Sequence, residues 1–305
     1  MPIIQFRTNQ FDQARLQTNR TLVLNTFYHT NRMIVKNLAN VPFNELIDCF
    51  LRAFENYYVK MPNDLNYYQE RWKMAKVDFN FSYGMFDKEK LVGFVIHAVD
   101  KRDGILTAFN TGTGVLPEYR GRKIVKSIYN YALEDLKRNG FERSTLEVIT
   151  KNEPAIRSYK SIGFEIFKKY KCFHGPIKTN GSYKFDLKEI DIKTIVWENL
   201  PNQHLYSWDN QKESILGGNH MFFQVLNHNI PESYFIIRPD RNYLAQFDLI
   251  NTENKGWNRL FSAIKQISET IKINNVDERL KDKIDHLNMM GLENHIDQYE
   301  MELKI

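Results

Sequence analysis

The residues with the most chemical content run Gly112-Thr-Gly-Val115-Leu-Pro117-Glu-Tyr-Arg120-Gly121-Arg122-Lys123-Ile124-Val125, out of an apolar stretch, through a basic turn and into an amphipathic one. A helix entered this way presents unpaired backbone N–H groups and the positive end of its dipole. Arg120, Arg122 and Lys123 add charge at the same spot, so the segment reads as a cradle for a polyanion such as phosphate. Arg-Gly alone would be only a solvated basic helix start. A second segment, Asn152-Glu-Pro154-Ala155-Ile-Arg-Ser-Tyr159-Lys-Ser-Ile-Gly163-Phe164, follows at a spacing that narrows the ligand.

Together the two segments resemble the GNAT superfamily of acetyl-CoA-dependent N-acyltransferases. That family shows V-x-P-x-x-R-G-x-G-x-G/A on a strand-to-helix loop, then N-x-x-A-x-x-x-Y-x-x-x-G-F on a short helix. This chain matches with Val115, Pro117, Arg120 and Gly121, then with Asn152, Ala155, Tyr159, Gly163 and Phe164; Lys123 and Val125 replace the two later glycines. The resemblance spans residues 33 to 175. It implies acetyl-CoA as cosubstrate, with no metal, and direct transfer of an acetyl group to a primary amine in a ternary complex. The pyrophosphate is expected on Arg120, Gly121, Arg122, Lys123, Ile124 and Val125, with Asn152 touching cofactor as well as capping its helix. Pantetheine amides are expected along the strand ending at Val115, whose N–H groups would also face the developing oxyanion. Tyr159 is the expected general acid for the departing thiolate, since a phenol of pKa ~10 is only slightly less acidic than a thiol. Outside this context, a tyrosine on an apolar helix face is plain core.

The general base is less legible. The strand before the loop, Leu106-Thr-Ala-Phe-Asn110-Thr111, has no carboxylate. Glu147 on the next strand is the nearest candidate, His97 and Asp100 are alternatives, and a water relay would leave no signature.

These groups need a scaffold. Ile34–Leu38 reads as a strand, and Phe43, Leu46, Ile47, Phe50, Leu51 and Phe54 recur at helical spacing. A second helix carries Tyr67, Tyr68, Trp72 and Met74. Strands are expected at 81–86, 91–99 and 105–115, separated by Asp87-Lys-Glu-Lys90 and Asp100-Lys-Arg-Asp-Gly104. After the loop, Val125, Ile128, Tyr129, Ala132, Leu133 and Leu136 share a helix face that stops at Asn139-Gly140, and Ser144–Ile149 is the next strand. The expected fold is α/β, a mixed and mostly antiparallel sheet flanked by helices. The aromatics Phe54, Tyr57, Tyr58, Tyr67, Tyr68 and Trp72 would form either core or an acceptor pocket.

Beyond residue 178 the pattern recurs: strands at Phe222–Leu226, Tyr234–Arg238 and Tyr243–Ile250, then Lys255-Gly256 and a helix face of Trp257, Leu260, Phe261, Ile264, Ile267 and Ile271. A strand at Lys272–Val276 and a short helix ending Met290-Gly291-Leu292 complete it. Counting back from Gly291 as from Gly163, Leu287 stands for Tyr159 and Leu280 for Asn152. The expected division is an extension over 1–32, a GNAT-like catalytic domain over 33–178 and a degenerate copy over 179–305, with Trp257 obstructing any second cofactor site.

Composition sets the outer bounds. The 305 residues carry a net charge of +5, too small to argue for nucleic acid, and contain no apolar run of membrane-spanning length. Cys49 and Cys172 are too few and too far apart for a disulfide framework or a zinc site. The expectation is a cytoplasmic enzyme with a small-molecule or peptide amine acceptor and no nucleic-acid or membrane partner; a homodimer is one option. The rival expectation is a non-catalytic CoA-binding sensor or scaffold. A third, aminoacyl transfer from charged tRNA, would need a broad basic groove.

Overall fold

The computed structural model describes residues 33–179, 181–251 and 256–305. The extension over 1–32 and Lys255 of the second loop lie outside them. Along the chain come β1 (Ile34–Asn37), α1 (Phe43–Ala53), α2 (Leu65–Ala75), β2 (Tyr83–Asp87), β3 (Lys90–Arg102), β4 (Ile105–Val115), α3 (Ile124–Arg138), β5 (Arg143–Ile149), α4 (Glu153–Ile162) and β6 (Glu165–Pro176). The second half supplies β7 (Asp186–Ile190), β8 (Met221–Asn227), β9 (Ile230–Arg238), β10 (Tyr243–Leu249), α5 (Gly256–Ile267), β11 (Thr270–Asp277), α6 (Lys281–Met289) and β12 (Glu293–Lys304). One short turn of helix, Lys212–Ile215, precedes β8.

Local signals explain the boundaries. Asp64 caps α2 by accepting from Asn66 N at 2.9 Å, and the helix stops where Lys76 turns left-handed. Asn152 caps α4, Pro154 sits in its first turn, and Gly163 ends it at φ 117°. Ile271, expected on the α5 face, instead opens the buried side of β11, because the helix stops at Ile267.

All twelve strands join one sheet in the order β1-β2-β3-β4-β5-β12-β6-β11-β10-β9-β8-β7. The centre of that order is reciprocal: β12 pairs antiparallel with β5, β6 pairs antiparallel with β11, and β12 and β6 pair with each other. The C-terminal strand therefore lies against the first half, and β6 lies against the second. β6 and β12 are the same length, 12 residues. Laid end to end, they match Cys172 with Glu300; the same offset matches Gly163 with Gly291, Asn152 with Leu280, and Glu147 with Asn275. Separate apolar cores back each half, one around Phe94, Ile128, Tyr129 and Phe164, the other around Phe235, Phe247, Phe261 and Leu287. This is the α/β arrangement expected from the sequence, present twice. The strands β7 and β12 were not anticipated, since both alternate weakly and are rich in charge.

Candidate active site

The site begins where two neighbouring strands part. β4 and β5 run parallel and pair only over Thr107–Asn110 against Arg143–Leu146. Beyond that point β4 continues to Val115 and β5 to Ile149 with no pairing between them. A β-bulge marks the apex: Asn110 lies opposite His97 and Gly112 opposite Ile96, so Thr111 has no partner on β3. Asn110 holds the bulge, accepting from Gly112 N at 3.0 Å while its amide donates to Thr113 Oγ1 and Tyr129 Oη, both at 2.7 Å. Leu116 N donates to Val92 O, so strand alternation turns the N–H groups of Thr113 and Val115 away from β3 and into the gap. Gly114 lets α1 lie close, since a β-carbon there would stand 2.5 Å from the Phe94 ring and 2.7 Å from Ala53 Cβ.

The basic loop sits at the wide end of this gap. Gly121 takes φ 76° and Lys123 φ 57°, two left-handed residues that bring the chain into α3. A lysine thus adopts the conformation that glycine adopts freely. Arg120 ties the loop down, donating from its guanidinium to Ala53 O at 2.9 Å and Val115 O at 3.3 Å. Arg122 lies over the Tyr119 ring and Lys123 is exposed. Ile124 is buried in the core and Val125 packs against its edge, so from these two only backbone faces the loop. The first turn of α3 contains no acidic residue, which keeps its N-terminus positive.

Tyr159 projects from α4 against Tyr129 and Phe164, 8% exposed. Burial pushes its phenol up to about 12, offset in part by Thr113 and Asn110 within hydrogen-bonding reach. It is therefore protonated at neutral pH and stands beside the bulge. Asn152 accepts from Ala155 N at 3.3 Å and also reaches Tyr57, a contact that links α4 to the chain after α1.

Glu147 is the first residue of β5 past the last paired position. Leu146 and Val148 belong to the core that holds Tyr159, so alternation puts Glu147 on the opposite face of the sheet. There Asn275 of β11 donates to its Oε2 at 2.7 Å, and Oε1 takes no hydrogen bond from the described residues. Burial pushes the carboxyl up to about 8, helped by Asp209 and Glu300 and opposed by Asn275 and Arg71. Thr111 Oγ1, the other side-chain oxygen at the apex, is likewise buried without a partner among the described residues. The structure thus brings Tyr159 and Glu147 to the two faces of one gap. His97 is a core histidine, its Nδ1 2.6 Å from Phe81 O and burial pulling it down to about 4. Asp100 pairs with Lys76 at 2.7 Å on the surface, so neither alternative base reaches the gap.

Asn110, Thr111, Thr113 and Asn275 were missed in the sequence. Polar residues interrupting an apolar strand on either side of Gly112 were the signal for the first three. The repeat offset applied to Glu147 would have found Asn275. Of the α1–α2 aromatics, Tyr68 and Trp72 are core and Phe54 packs on that core, while Tyr67 lines a cavity between α2 and the second half.

Comparison with known proteins bears on this geometry. Residues 43–164 match the model of the acetyltransferase (GNAT) family, and that span contains the bulge, the loop, Glu147 and Tyr159. Over that span the chain is similar to acetyltransferases of the GNAT family. An uncharacterized N-acetyltransferase of Methanocaldococcus jannaschii is 29% identical over 140 residues, covering 43% of this chain. The aligned part spans 60% of that relative's own length. Two solved structures share the fold over both halves. A putative acetyltransferase from Pyrococcus horikoshii superposes with TM-score 0.65 at 13% identity, covering 92% of this chain and 93% of its own. A tandem GNAT protein from the clavulanic acid biosynthesis pathway superposes with TM-score 0.65 at 14% identity, covering 90% and 98%. Among the described residues, no helix is long and apolar enough to cross a membrane, and no group of His, Cys, Asp or Glu is arranged to hold a metal ion.

Proposed function

We propose that the protein transfers an acetyl group from acetyl-CoA to a primary amine, directly and in the first half alone. The observation that carries this reading is the parted pair β4/β5, with an anion-binding helix start at its wide end and two unsatisfied side-chain oxygens, Thr111 Oγ1 and Glu147 Oε1, at its apex. Acetyl-CoA supplies a thioester, a good acyl donor. Its pyrophosphate suits the N–H groups of Gly121 to Val125, with Arg122 and Lys123 alongside. Its pantetheine amides suit the free edge of β4 from Thr113 to Val115.

The residues then divide the proton work. Glu147, as carboxylate, takes a proton from the amine as nitrogen bonds to the acetyl carbon. A backbone N–H at the bulged end of β4 faces the carbonyl oxygen as it becomes negative. Tyr159 gives its phenolic proton to the sulfur as the C–S bond breaks, and solvent restores both groups. Tyr159 and Glu147 lie on opposite faces of the sheet, which suits attack from the side opposite the leaving group. The division into a catalytic unit over 33–178 and a non-catalytic unit over 179–305 belongs to this proposal. Calorimetric titration with acetyl-CoA and a free-thiol release assay over an amine panel test it. One acetyl-CoA per chain with amine-dependent thiol release is expected; tight binding without release would instead make the protein a CoA sensor, and no binding would reject both.

A further inference from the structure

The cavity between α2 and the second half has a volume of about 310 Å³, at the small end of ligand pockets. Its charged lining is Glu70 and Arg71 from α2, Asp209, Arg238 and Arg241 from the second half, and Lys272 of β11. Arg71 pairs with Asp209 at 2.9 Å, and the lining includes Asn274, whose neighbour Asn275 donates to Glu147 Oε2 at 2.7 Å, so the cavity lies beside the gap on the face opposite Tyr159. Resting on the acetyl-transfer reading above, we propose that this cavity is the acceptor pocket and that it selects a small amine also carrying an anionic group.

Two sets of groups point to such a ligand. On one side, Asp209 Oδ1 in the lining and Glu147 Oε1 beyond it are both shielded from solvent and take no hydrogen bond from the described residues. A buried acceptor wants a donor, and an amino group supplies several. On the other side the balance is reversed. Arg241 and Arg238 share Glu70, at 2.7 and 3.8 Å, and Asp240 from outside the cavity, while Lys272 is exposed and has no carboxylate within ion-pair distance among the described residues. His220, also on the wall, stays neutral, since burial pulls it down to about 4. The cavity therefore offers the Asp209 carboxylate on one side and Lys272 as a surplus cation on the other, the complement of an amine with an acid group at its other end. A polyamine would meet Lys272 and both arginines with like charge. The second half, on this reading, supplies substrate selection rather than a second reaction.

Glycine, β-alanine and L-glutamate, each against its fully amidated counterpart, with spermidine as the cationic control, make the test. With acetyl-CoA saturating, thiol release should favour each acid over its amide by at least about tenfold in kcat/KM, the scale of one charge-assisted hydrogen bond. Arg241→Ala and Lys272→Glu should erase that ratio through KM, leaving acetyl-CoA affinity unchanged. Lys272 is exposed, so its variant remains informative even where Arg241→Ala unfolds. Titration of the same amines into CoA-loaded protein gives a readout independent of turnover, with acids binding more tightly than amides. Equal or better binding and turnover of the amides or spermidine would overturn the acceptor class while leaving acetyl transfer intact. Failure to bind acetyl-CoA would overturn both.

Discussion

In the first half β4 and β5 part after Asn110 and Leu146; in the second, β10 and β11 part after their one parallel pair, Tyr243 with Lys272. Each inner strand carries a bulge near that point, at Thr111 and at Ala245. The caps of the following helices superpose in conformation, Asn152 at φ −87°, ψ 65° and Leu280 at φ −80°, ψ 63°. The backbone thus opens the same gap twice. Side chains decide its fate. In the second gap the buried Lys283 ammonium donates to Asp248 at 2.9 Å and to Phe247 O at 2.7 Å, and Tyr206 Oη donates to the same carbonyl at 3.1 Å. That carbonyl lies on the strand edge matching the one proposed for pantetheine in the first half. Trp257, second in α5, bonds Asp282 of α6 at 2.7 Å and stacks on His286. Val125 is second in α3. Only about 10 Å³ remains between β10 and β11, no more than one water needs. A degenerate cleft, in this chain, is one that the protein occupies with its own donors.

The sharpest break between the halves is expected at Tyr159, whose matched residue is Leu287. Tyr159→Phe should lower kcat by roughly 10²–10⁴-fold, the usual span for a general acid, with acetyl-CoA affinity preserved. Stopped-flow thiol release beside calorimetry checks it; unchanged turnover would remove Tyr159 from the chemistry. Next in size is Trp257→Ala. Deleting a buried indole should cost about 3–5 kcal/mol by denaturant unfolding. The stoichiometry should stay at one acetyl-CoA per chain, because Lys283 and Tyr206 still fill the strand edge. Two sites in that variant would show that Trp257 alone had closed the second gap.

Much of this contrast was legible in the sequence. Both motifs, the paired repeat, the exchange of Tyr159 for Leu287 and the bulky Trp257 all follow from residue types at fixed spacing. The interleaving of β6 and β12 was not, because strand order across a pseudo-symmetric junction depends on non-local pairing. The polar fill of the second gap was hidden for the same reason: Lys283 and Asp248 are 35 residues apart, and only the fold brings them together. Nor did the sequence reveal the cavity beside α2, whose walls come from segments more than a hundred residues apart.

Glu147 and Asn275 are matched positions that touch each other, so the second half helps set the state of the first half's carboxyl. Its surroundings are Asp209 and Glu300, which raise its pKa, and Asn275 and Arg71, which lower it. With burial the largest influence and a folded-state value of about 8, the base form of Glu147 grows with pH. The rate is therefore expected to rise and level off above about pH 8. Glu147→Gln should remove that limb and lower kcat by roughly 10²-fold. Stability should move the other way. A carboxyl raised from 4.5 to about 8 by folding costs stability that grows as pH climbs between those values, so the variant should gain in Tm over the parent at pH 8 more than at pH 5. Asn275→Leu should shift the midpoint of the pH profile upward, since it deletes the hydrogen bond that favours the charged form. A profile unmoved by either substitution would separate Glu147 from catalysis.

The smallest expected effect concerns Lys123, one of the two places where the loop departs from the glycine pattern. Its φ of 57° is the left-handed conformation, which costs a side-chain-bearing residue roughly 1–2 kcal/mol. Lys123→Gly relieves that strain but loosens the unfolded chain by about 0.4–1 kcal/mol, so the net gain in stability should stay under about 1.6 kcal/mol. The N–H groups of the loop keep their directions, and the anion cradle survives. What is lost is one exposed ammonium at a helix start, worth about 0.3–1 kcal/mol toward an anion by analogy with other helix-terminus charges. Acetyl-CoA should accordingly bind no more than about fivefold more weakly, with a shallower dependence on salt. A far larger loss would mean that the lysine side chain, rather than the left-handed backbone, has taken over the work of the missing glycine.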